Sequence, residues 1–131
     1  MAQELKRILI VEDDEDIRVI ARIALEAVGG FEVESCETGA KAALLARTFR
    51  PHLVVLDVTM PDMDGPTTLR AMRKEPGLEL TPVIFLTAKH HPQELRELEQ
   101  LGALGVIQKP FDAMRLPSHI QQLWKRRFHT E

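Results

Sequence analysis

The sequence is poor in several features that mark particular classes of protein. It contains one cysteine, Cys36, and no tyrosine. A single cysteine cannot form an internal disulfide, which favours a reducing compartment, so we expect a cytoplasmic protein. The apolar runs are much too short to span a membrane, and the first residues lack the basic-then-apolar pattern of a signal peptide. The formal net charge of −3 provides no general attraction to nucleic acid.

The length predicts one domain. A chain of 131 residues is long enough for one hydrophobic core and too short for two comfortable ones. No unit of 20 to 50 residues repeats, and no low-complexity stretch or linker interrupts the chain. We therefore expect a single domain over residues 1–131.

Five short apolar runs, bounded by turn-forming or charged residues, predict five β-strands. They cover residues 8–11, 31–35, 53–57, 82–86 and 104–108. Helical spacing of the apolar residues between them predicts five helices, over about 17–28, 38–47, 66–74, 92–101 and a last stretch that begins at Asp112 or nearer Pro117. Strands alternating with helices predict an α/β domain with a parallel sheet covered on both faces.

The apolar pattern also predicts which side of three helices faces the core. The predicted inward residues of the first helix are Ile17, Ile20, Ala21, Ala24, Leu25 and Val28, those of the second are Ala40, Ala43 and Leu44, and those of the fourth are Leu95, Leu98 and Leu101. Thr38 is expected to cap the second helix, since a threonine hydroxyl accepts a bond from the first free N–H groups.

Polar residues follow four of the predicted strands directly. They are Glu12 and Asp13 after the first, Asp57 at the end of the third, Thr87 after the fourth and Lys109 after the fifth. Ligands of open parallel sheets bind beyond the carboxyl ends of the strands. Any one of these residues alone would be ordinary, and acidic residues such as Asp14, Glu15 and Asp16 commonly start a helix. Their coincidence at successive strand ends predicts a site.

The residue types at this edge suit phosphoryl chemistry with a metal ion. Three carboxylates repel one another unless a cation neutralises them, and oxygen-only ligands favour a hard ion such as Mg²⁺. Asp57 is then the predicted nucleophile, forming an aspartyl phosphate. Lys109 and Thr87 are predicted to stabilise the phosphate oxygens.

These residues resemble the receiver domain of two-component response regulators. The resemblance covers about Lys6 to Trp124, and we expect this part to be the core of the domain. It rests on Ile-Leu-Ile-Val-Glu-Asp-Asp at 8–14, Leu-Asp-Val-Thr-Met-Pro-Asp-Met-Asp-Gly at 56–65, Leu-Thr-Ala at 86–88 and Lys-Pro-Phe at 109–111. It implies a flavodoxin-like fold with strand order 2-1-3-4-5. It also implies that a sensor histidine kinase or phosphotransfer protein phosphorylates Asp57 in the presence of Mg²⁺, with Mn²⁺ as a possible substitute.

The resemblance assigns roles by position. Asp13 matches a direct metal ligand, Glu12 an acidic partner acting through water, and Thr59 a residue whose backbone carbonyl binds the metal. Thr87 matches the switch hydroxyl and Lys109 the invariant lysine, and Lys109–Pro110 resembles the family's cis peptide bond. The resemblance implies a protein that catalyses its own phosphorylation and dephosphorylation but is not a conventional enzyme.

One residue departs from the family pattern. Val106 occupies the place in the fifth strand where family members usually carry Tyr or Phe, so an aromatic rotamer switch cannot operate there. The resemblance implies that downstream partners bind the surface of the fourth helix, fifth strand and fifth helix. Because little sequence follows the last helix, we expect no DNA-binding domain, and Lys125 to Arg127 read as ordinary cations at a helix end.

Two other functions remain open. The first is a phosphorylation-independent interaction module on the same fold, which the five intact site residues disfavour and Val106 permits. The second is a flavin carrier or nucleotide-binding enzyme. Carboxylates stand where a flavodoxin needs a glycine- and hydroxyl-rich phosphate loop, and the Gly-x-x-x-x-Gly-Lys-Ser/Thr motif is absent.

Overall fold

The computed structural model describes residues 4–128 as a five-stranded parallel sheet between two layers of helices. The strands are β1 (Arg7–Val11), β2 (Glu32–Cys36), β3 (Leu53–Asp57), β4 (Val83–Thr87) and β5 (Gly105–Gln108). The helices are α1 (Glu15–Ile23), α2 (Gly39–Phe49), α3 (Gly65–Arg73), α4 (Pro92–Gln100) and α5 (Leu116–Phe128). The strand order is β2-β1-β3-β4-β5, which confirms the predicted flavodoxin-like topology.

The sheet is buried on both faces because residues of its central strands alternate between two apolar cores. Leu9, Val54, Leu56 and Phe85 belong to one core, together with residues of α2, α3 and α4. Ile8, Ile10, Val55 and Ile84 belong to the other, together with residues of α1 and α5. The strands are therefore packed on both sides, and their carboxyl ends lie at one edge of the sheet.

Side-chain caps start three of the helices that follow strands. Asp14 accepts a bond from the amide of Ile17 at 3.0 Å, and Asp64 accepts one from Thr67 at 2.8 Å. Thr38 caps α2 through the amide of Lys41 at 3.1 Å, as predicted. These caps satisfy free N–H groups at the starts of the helices, on the edge of the sheet where the polar residues gather.

The predicted inward face of α1 is only partly correct. Ala21, Ala24 and Leu25 are buried, but Ile20 is 49% and Val28 51% exposed. The chain continues after α1 as a π-helical turn, Ala24–Val28, in which the amide of Gly29 bonds to the carbonyl of Ala24. A π turn holds more residues than an α turn, so the helical register shifts and Val28 turns to the outside.

The predicted inward face of α2 is wrong. Ala40 and Leu44 are exposed and Ala43 is only half-buried, whereas the buried residues are Gly39, Ala42 and Ala46. At the start of α2, Gly39 lies against the Thr68 side chain of α3, where a Cβ atom would overlap the hydroxyl. The close approach of the two helices selects the smallest residues for the contact, and this turns Leu44 outward.

Both alternatives for the last helix are partly correct. Asp112 accepts a bond from the amide of Met114 at 3.0 Å and starts a 3₁₀ turn, Ala113–Arg115. The regular helix α5 then begins at Leu116, so Pro117 lies in its first turn, where its missing N–H does no harm. In the preceding helix, Leu98 is buried as predicted, but Leu101 is 43% exposed.

Within residues 4–128, no helix combines the length and the apolar character that a membrane span requires.

Candidate metal centre at the carboxyl edge of the sheet

The strand ends bring the predicted carboxylates together. Asp57 is the last residue of β3 and is 3% exposed, and Glu12, directly after β1, is completely buried. Asp13 follows Glu12 and is exposed at the mouth of the site. One carboxylate oxygen from each of these three residues lies within 4.8 Å of the others. Residues 12, 13 and 57 therefore form one acidic cluster, although Asp57 lies 44 positions after Asp13 along the chain.

Lys109 connects the two buried carboxylates. Its Nζ lies 2.7 Å from Oε1 of Glu12 and 2.9 Å from Oδ1 of Asp57. The Lys109–Pro110 peptide bond is cis, as the resemblance implies. The backbone amide of Lys109 also donates to the carbonyl of Thr87 at 2.7 Å, which ties the end of β5 to the end of β4. The ammonium is thus positioned from both its backbone and its side chain.

Glu12 is held in place by contacts that the sequence does not indicate. Its Oε2 accepts a bond from the amide of Asp14 at 3.1 Å. Arg18, one turn into α1, donates from its guanidinium to the backbone carbonyl of Glu12 at 2.9 Å. From the sequence, an arginine at the start of an acidic helix is usually interpreted as a surface residue. Only the tertiary structure shows this contact.

Gly65 is a second residue whose role depends on the tertiary structure. A Cβ atom at this position would lie 2.8 Å from the backbone oxygen of Asp57 and 3.0 Å from the Cα of Val58. The amide of Gly65 donates to the carbonyl of Val58 at 2.8 Å. The absence of a side chain lets the start of α3 lie directly against the strand end that carries Asp57. Thr59 lies in the loop between these elements, and its side chain is exposed.

Thr87 stands on the strand beside Asp57. It is buried at the end of β4, and its Oγ accepts a bond from the amide of Lys89 at 3.0 Å. A hydroxyl that accepts one bond can still donate its own hydrogen. Thr87 therefore offers a donor at the edge of the sheet and is connected to the loop that leads into α4.

The electrostatics of the cluster favour a bound cation. Burial, with the nearby charge of Glu12, raises the pKa of Asp57 to about 7 although Lys109 opposes the rise. Burial disfavours the charged form of Lys109, but its hydrogen bonds to Glu12 and Asp57 outweigh this and raise its pKa. The lysine therefore stays charged and only partly neutralises the carboxylates. Oxygen donors with excess negative charge are the donor set that Mg²⁺ prefers, and the residues present fit this ion.

A family model for the response regulator receiver domain matches residues 8–121. The chain belongs to this family. It is a receiver domain of two-component response regulators, and a phosphoacceptor role is general to the family. The acidic cluster lies at the carboxyl edge of the sheet, where the polar residues at the strand ends predicted a site.

Solved structures of receiver domains are closely similar to this one. Chemotaxis response regulator CheY4 of Vibrio cholerae is 30% identical, with a TM-score of 0.83 over 92% of this chain and 99% of that chain. The signal receiver domain of a histidine kinase from Syntrophus aciditrophicus is 33% identical, with a TM-score of 0.78 over 96% of this chain and 95% of that one. This chain therefore contains nearly all of the receiver fold seen in those structures.

Curated relatives are longer proteins. The master transcriptional regulator RpaA of Synechocystis is 32% identical over 93% of this chain and 50% of its own length. The phosphate regulon regulator PhoB of Rhizobium meliloti is 33% identical over 93% of this chain and 53% of its own length. This receiver domain spans about half the length of these relatives.

Proposed function

We propose that Asp57 accepts a phosphoryl group from a phosphohistidine of a sensor histidine kinase or phosphotransfer protein, in a Mg²⁺-dependent reaction. The observation that carries the proposal is the approach of Glu12, Asp13 and Asp57 to within 4.8 Å, with the Lys109 ammonium 2.9 Å from Asp57. In this proposal Asp13 binds Mg²⁺ directly, Glu12 acts through water, and the backbone carbonyl of Thr59 completes the protein ligands. Mn²⁺ can replace Mg²⁺ at oxygen ligands of this kind.

The residues of the chain divide the chemistry between them. A carboxylate oxygen of Asp57 forms a bond to phosphorus as the phosphorus–nitrogen bond of phosphohistidine breaks, and the imidazole leaves. Lys109 is already charged and faces the oxygens that gain charge, so it needs no rearrangement. Thr87 donates its hydroxyl hydrogen to a phosphate oxygen. When bound, Mg²⁺ neutralises negative charge, so that three carboxylates, one ammonium and the metal ion sum to zero formal charge.

An apolar surface beside the acidic cluster suits the phosphoryl donor. Val19, Ile20 and Ile23 of α1 are between 46% and 58% exposed, and α1 begins two residues after Asp13. Exposed apolar side chains grouped on one helix commonly mark a protein interaction site. A donor that packs on this face can present its phosphohistidine to the neighbouring pocket.

Downstream partners are proposed to bind the surface of α4, β5 and α5. A groove of about 730 Å³ lies between these elements, and Val106 lines it together with Leu95 and Phe111. Because Val106 takes the place of an aromatic residue, phosphorylation must act here through Thr87 and the loop after it. The amide of Lys89 bonds to the Thr87 hydroxyl, so movement of that hydroxyl displaces the loop.

We further propose that residues 1–131 form a single receiver domain with a core over about 6–124, and that the protein acts in the cytoplasm. The two apolar cores extend from Leu5 to Trp124 without a break between separate units. The lone thiol of Cys36 is buried and is compatible with a reducing compartment.

Labelling with acetyl phosphate and Mg²⁺ tests the proposed function. Intact-protein mass spectrometry should show one phosphoryl group on the wild type and none on Asp57→Asn. Asp16→Asn is the matched control, because Asp16 is exposed at the start of α1 and outside the cluster. An unlabelled wild type would favour the phosphorylation-independent interaction module instead.

A further inference from the structure

A second groove lies on the other side of α4, next to the acidic cluster, and shares Thr59 and Lys89 with the loops around that cluster. This α3–α4 groove is bounded by the loop after β3, the start of α3, and α4, and it has a volume of about 430 Å³. Its apolar part is formed mainly by Leu101, with the small exposed parts of the core residues Met60 and Leu98, each 6% exposed. Leu101 is 43% exposed although the sequence pattern places it toward the core. The volume and apolar lining are those of a cleft that holds side chains of a ligand.

The rim of the α3–α4 groove carries excess negative charge. Three carboxylates, those of Asp64, Glu94 and Glu97, line it, and the one cation is Lys89. The Lys89 ammonium lies 3.9 Å from Glu94, so its charge is already shared with that residue. The rim therefore has an excess of two negative charges around an apolar floor. Such a surface attracts a cationic partner and repels an anionic one.

The arrangement of these carboxylates suits an extended ligand rather than a metal ion. In the described part of the chain, the only three carboxylates close enough to share an ion are Glu12, Asp13 and Asp57. Asp64 is the N-cap of α3, whereas Glu94 and Glu97 belong to α4, so the rim carboxylates lie on two elements around the groove. A polypeptide segment with several side chains can contact the floor and the rim together.

We propose that the α3–α4 groove binds a partner segment that presents apolar side chains flanked by lysine or arginine. An amphipathic helix is the form that places an apolar anchor in the groove and cations on either side of it. The anchor contacts Met60, Leu98 and Leu101, and the cations face Glu94 and Glu97. This surface is separate from the 730 Å³ groove between α4, β5 and α5, here called the α4–α5 groove, which is lined by Arg96 and Glu99 on another side of the same helix.

The probe is a pair of synthetic helical peptides that share the same leucine and alanine positions. One peptide carries lysine at its remaining positions and the other carries glutamate. Each is titrated into the ¹⁵N-labelled, unphosphorylated chain with saturating Mg²⁺, so that the Glu12 cluster does not attract the lysine peptide. We expect the lysine peptide to shift the amide resonances of Met60, Lys89 and Leu101, and the glutamate peptide to shift none of them.

Variants of one helix provide matched controls. The double variant Glu94→Gln/Glu97→Gln removes two rim charges. It should lower the affinity for the lysine peptide roughly three- to tenfold, the scale expected for two exposed charge pairs. Glu99→Gln makes the same chemical change on the other side of α4. Its affinity for the lysine peptide should stay within about twofold of the wild-type value. Leu101→Ser should weaken binding, whereas Leu80→Ser, at an exposed leucine outside the groove, should not.

The proposal is overturned if both peptides bind equally, if the shifts map to the α4–α5 groove, or if Glu99→Gln weakens binding as much as the double variant. Every measurement uses the unphosphorylated chain, so failure here leaves the phosphoacceptor role of Asp57 untouched. Conversely, an unlabelled Asp57 would not affect this result.

Discussion

The Nζ of Lys109 lies 2.9 Å from Oδ1 of Asp57, so the cation that balances this buried carboxylate comes from the residue directly after β5, which is two strands away from β3 in the sheet. The same ammonium contacts Glu12 at 2.7 Å. Removing it leaves two buried carboxylates facing each other without a cation. This relationship makes Lys109 the first residue to test.

Lys109→Ala should slow phosphorylation of Asp57 by acetyl phosphate by roughly 10²–10³-fold, the usual cost of losing a group that stabilises charge in the transition state. The rate is measured by intact-protein mass spectrometry over time at saturating Mg²⁺. Lys125→Ala removes the same charge from the end of α5 and should leave the rate unchanged. A Lys109→Ala rate equal to that of the wild type would remove the lysine from the proposed chemistry.

Mg²⁺ should stabilise the folded protein, because only the native state gathers Glu12, Asp13 and Asp57. At ten times the dissociation constant the expected gain is about 1.4 kcal/mol, which corresponds to a rise of several degrees in Tm. Differential scanning fluorimetry with Mg²⁺ or with EDTA measures it. Asp13→Asn should reduce the rise strongly, whereas Asp16→Asn should retain it. An identical rise in Asp13→Asn would place the ion elsewhere.

The raised pKa of Asp57 predicts a pH dependence of stability in the absence of metal. The folded state keeps this proton up to a pH of about 7, whereas the unfolded carboxyl releases it near its ordinary value of 3.8. The folded state therefore binds more protons in this window, and the contribution of Asp57 to stability falls as pH rises toward 7. Urea unfolding in EDTA between about pH 5 and pH 8 should show this fall in the wild type relative to Asp57→Asn. Parallel pH profiles for the two proteins would contradict the raised pKa.

Gly65→Ala should lower both stability and phosphorylation. The added methyl group would lie 2.8 Å from the backbone oxygen of Asp57, so α3 or the end of β3 must move. Such overpacking typically costs about 1–3 kcal/mol. Urea unfolding and the acetyl phosphate rate measure the two effects. Gly102→Ala is the control, because its Cβ meets no atom within 4 Å and its only strain is the positive φ of 91°. It should lose stability without a change in rate, and a normal rate in Gly65→Ala would show that the strand end tolerates the shift.

Much of the fold and the site could be predicted from the sequence because both depend on local patterns. The apolar runs before Glu12, Asp57 and Thr87 define buried strands, and parallel strands place their carboxyl ends at one edge. The alternation of strands and helices then predicts that residues far apart in sequence meet there. The structure brings together Glu12, Asp13, Asp57 and Lys109 as this reasoning expects. The experiments described above test the individual roles of these residues.

The sequence by itself determined the order of elements, the buried strands and the chemistry of the carboxyl edge, because each follows from short-range patterns of apolar and charged residues. Only the tertiary structure decided which sides of α1 and α2 are buried, since the π turn after Ile23 and the close contact of Gly39 with Thr68 depend on neighbouring elements. It also decided that Arg18 holds Glu12 and that an acidic groove opens beside Leu101. These features arise from the packing of helices against one another, which local spacing does not encode.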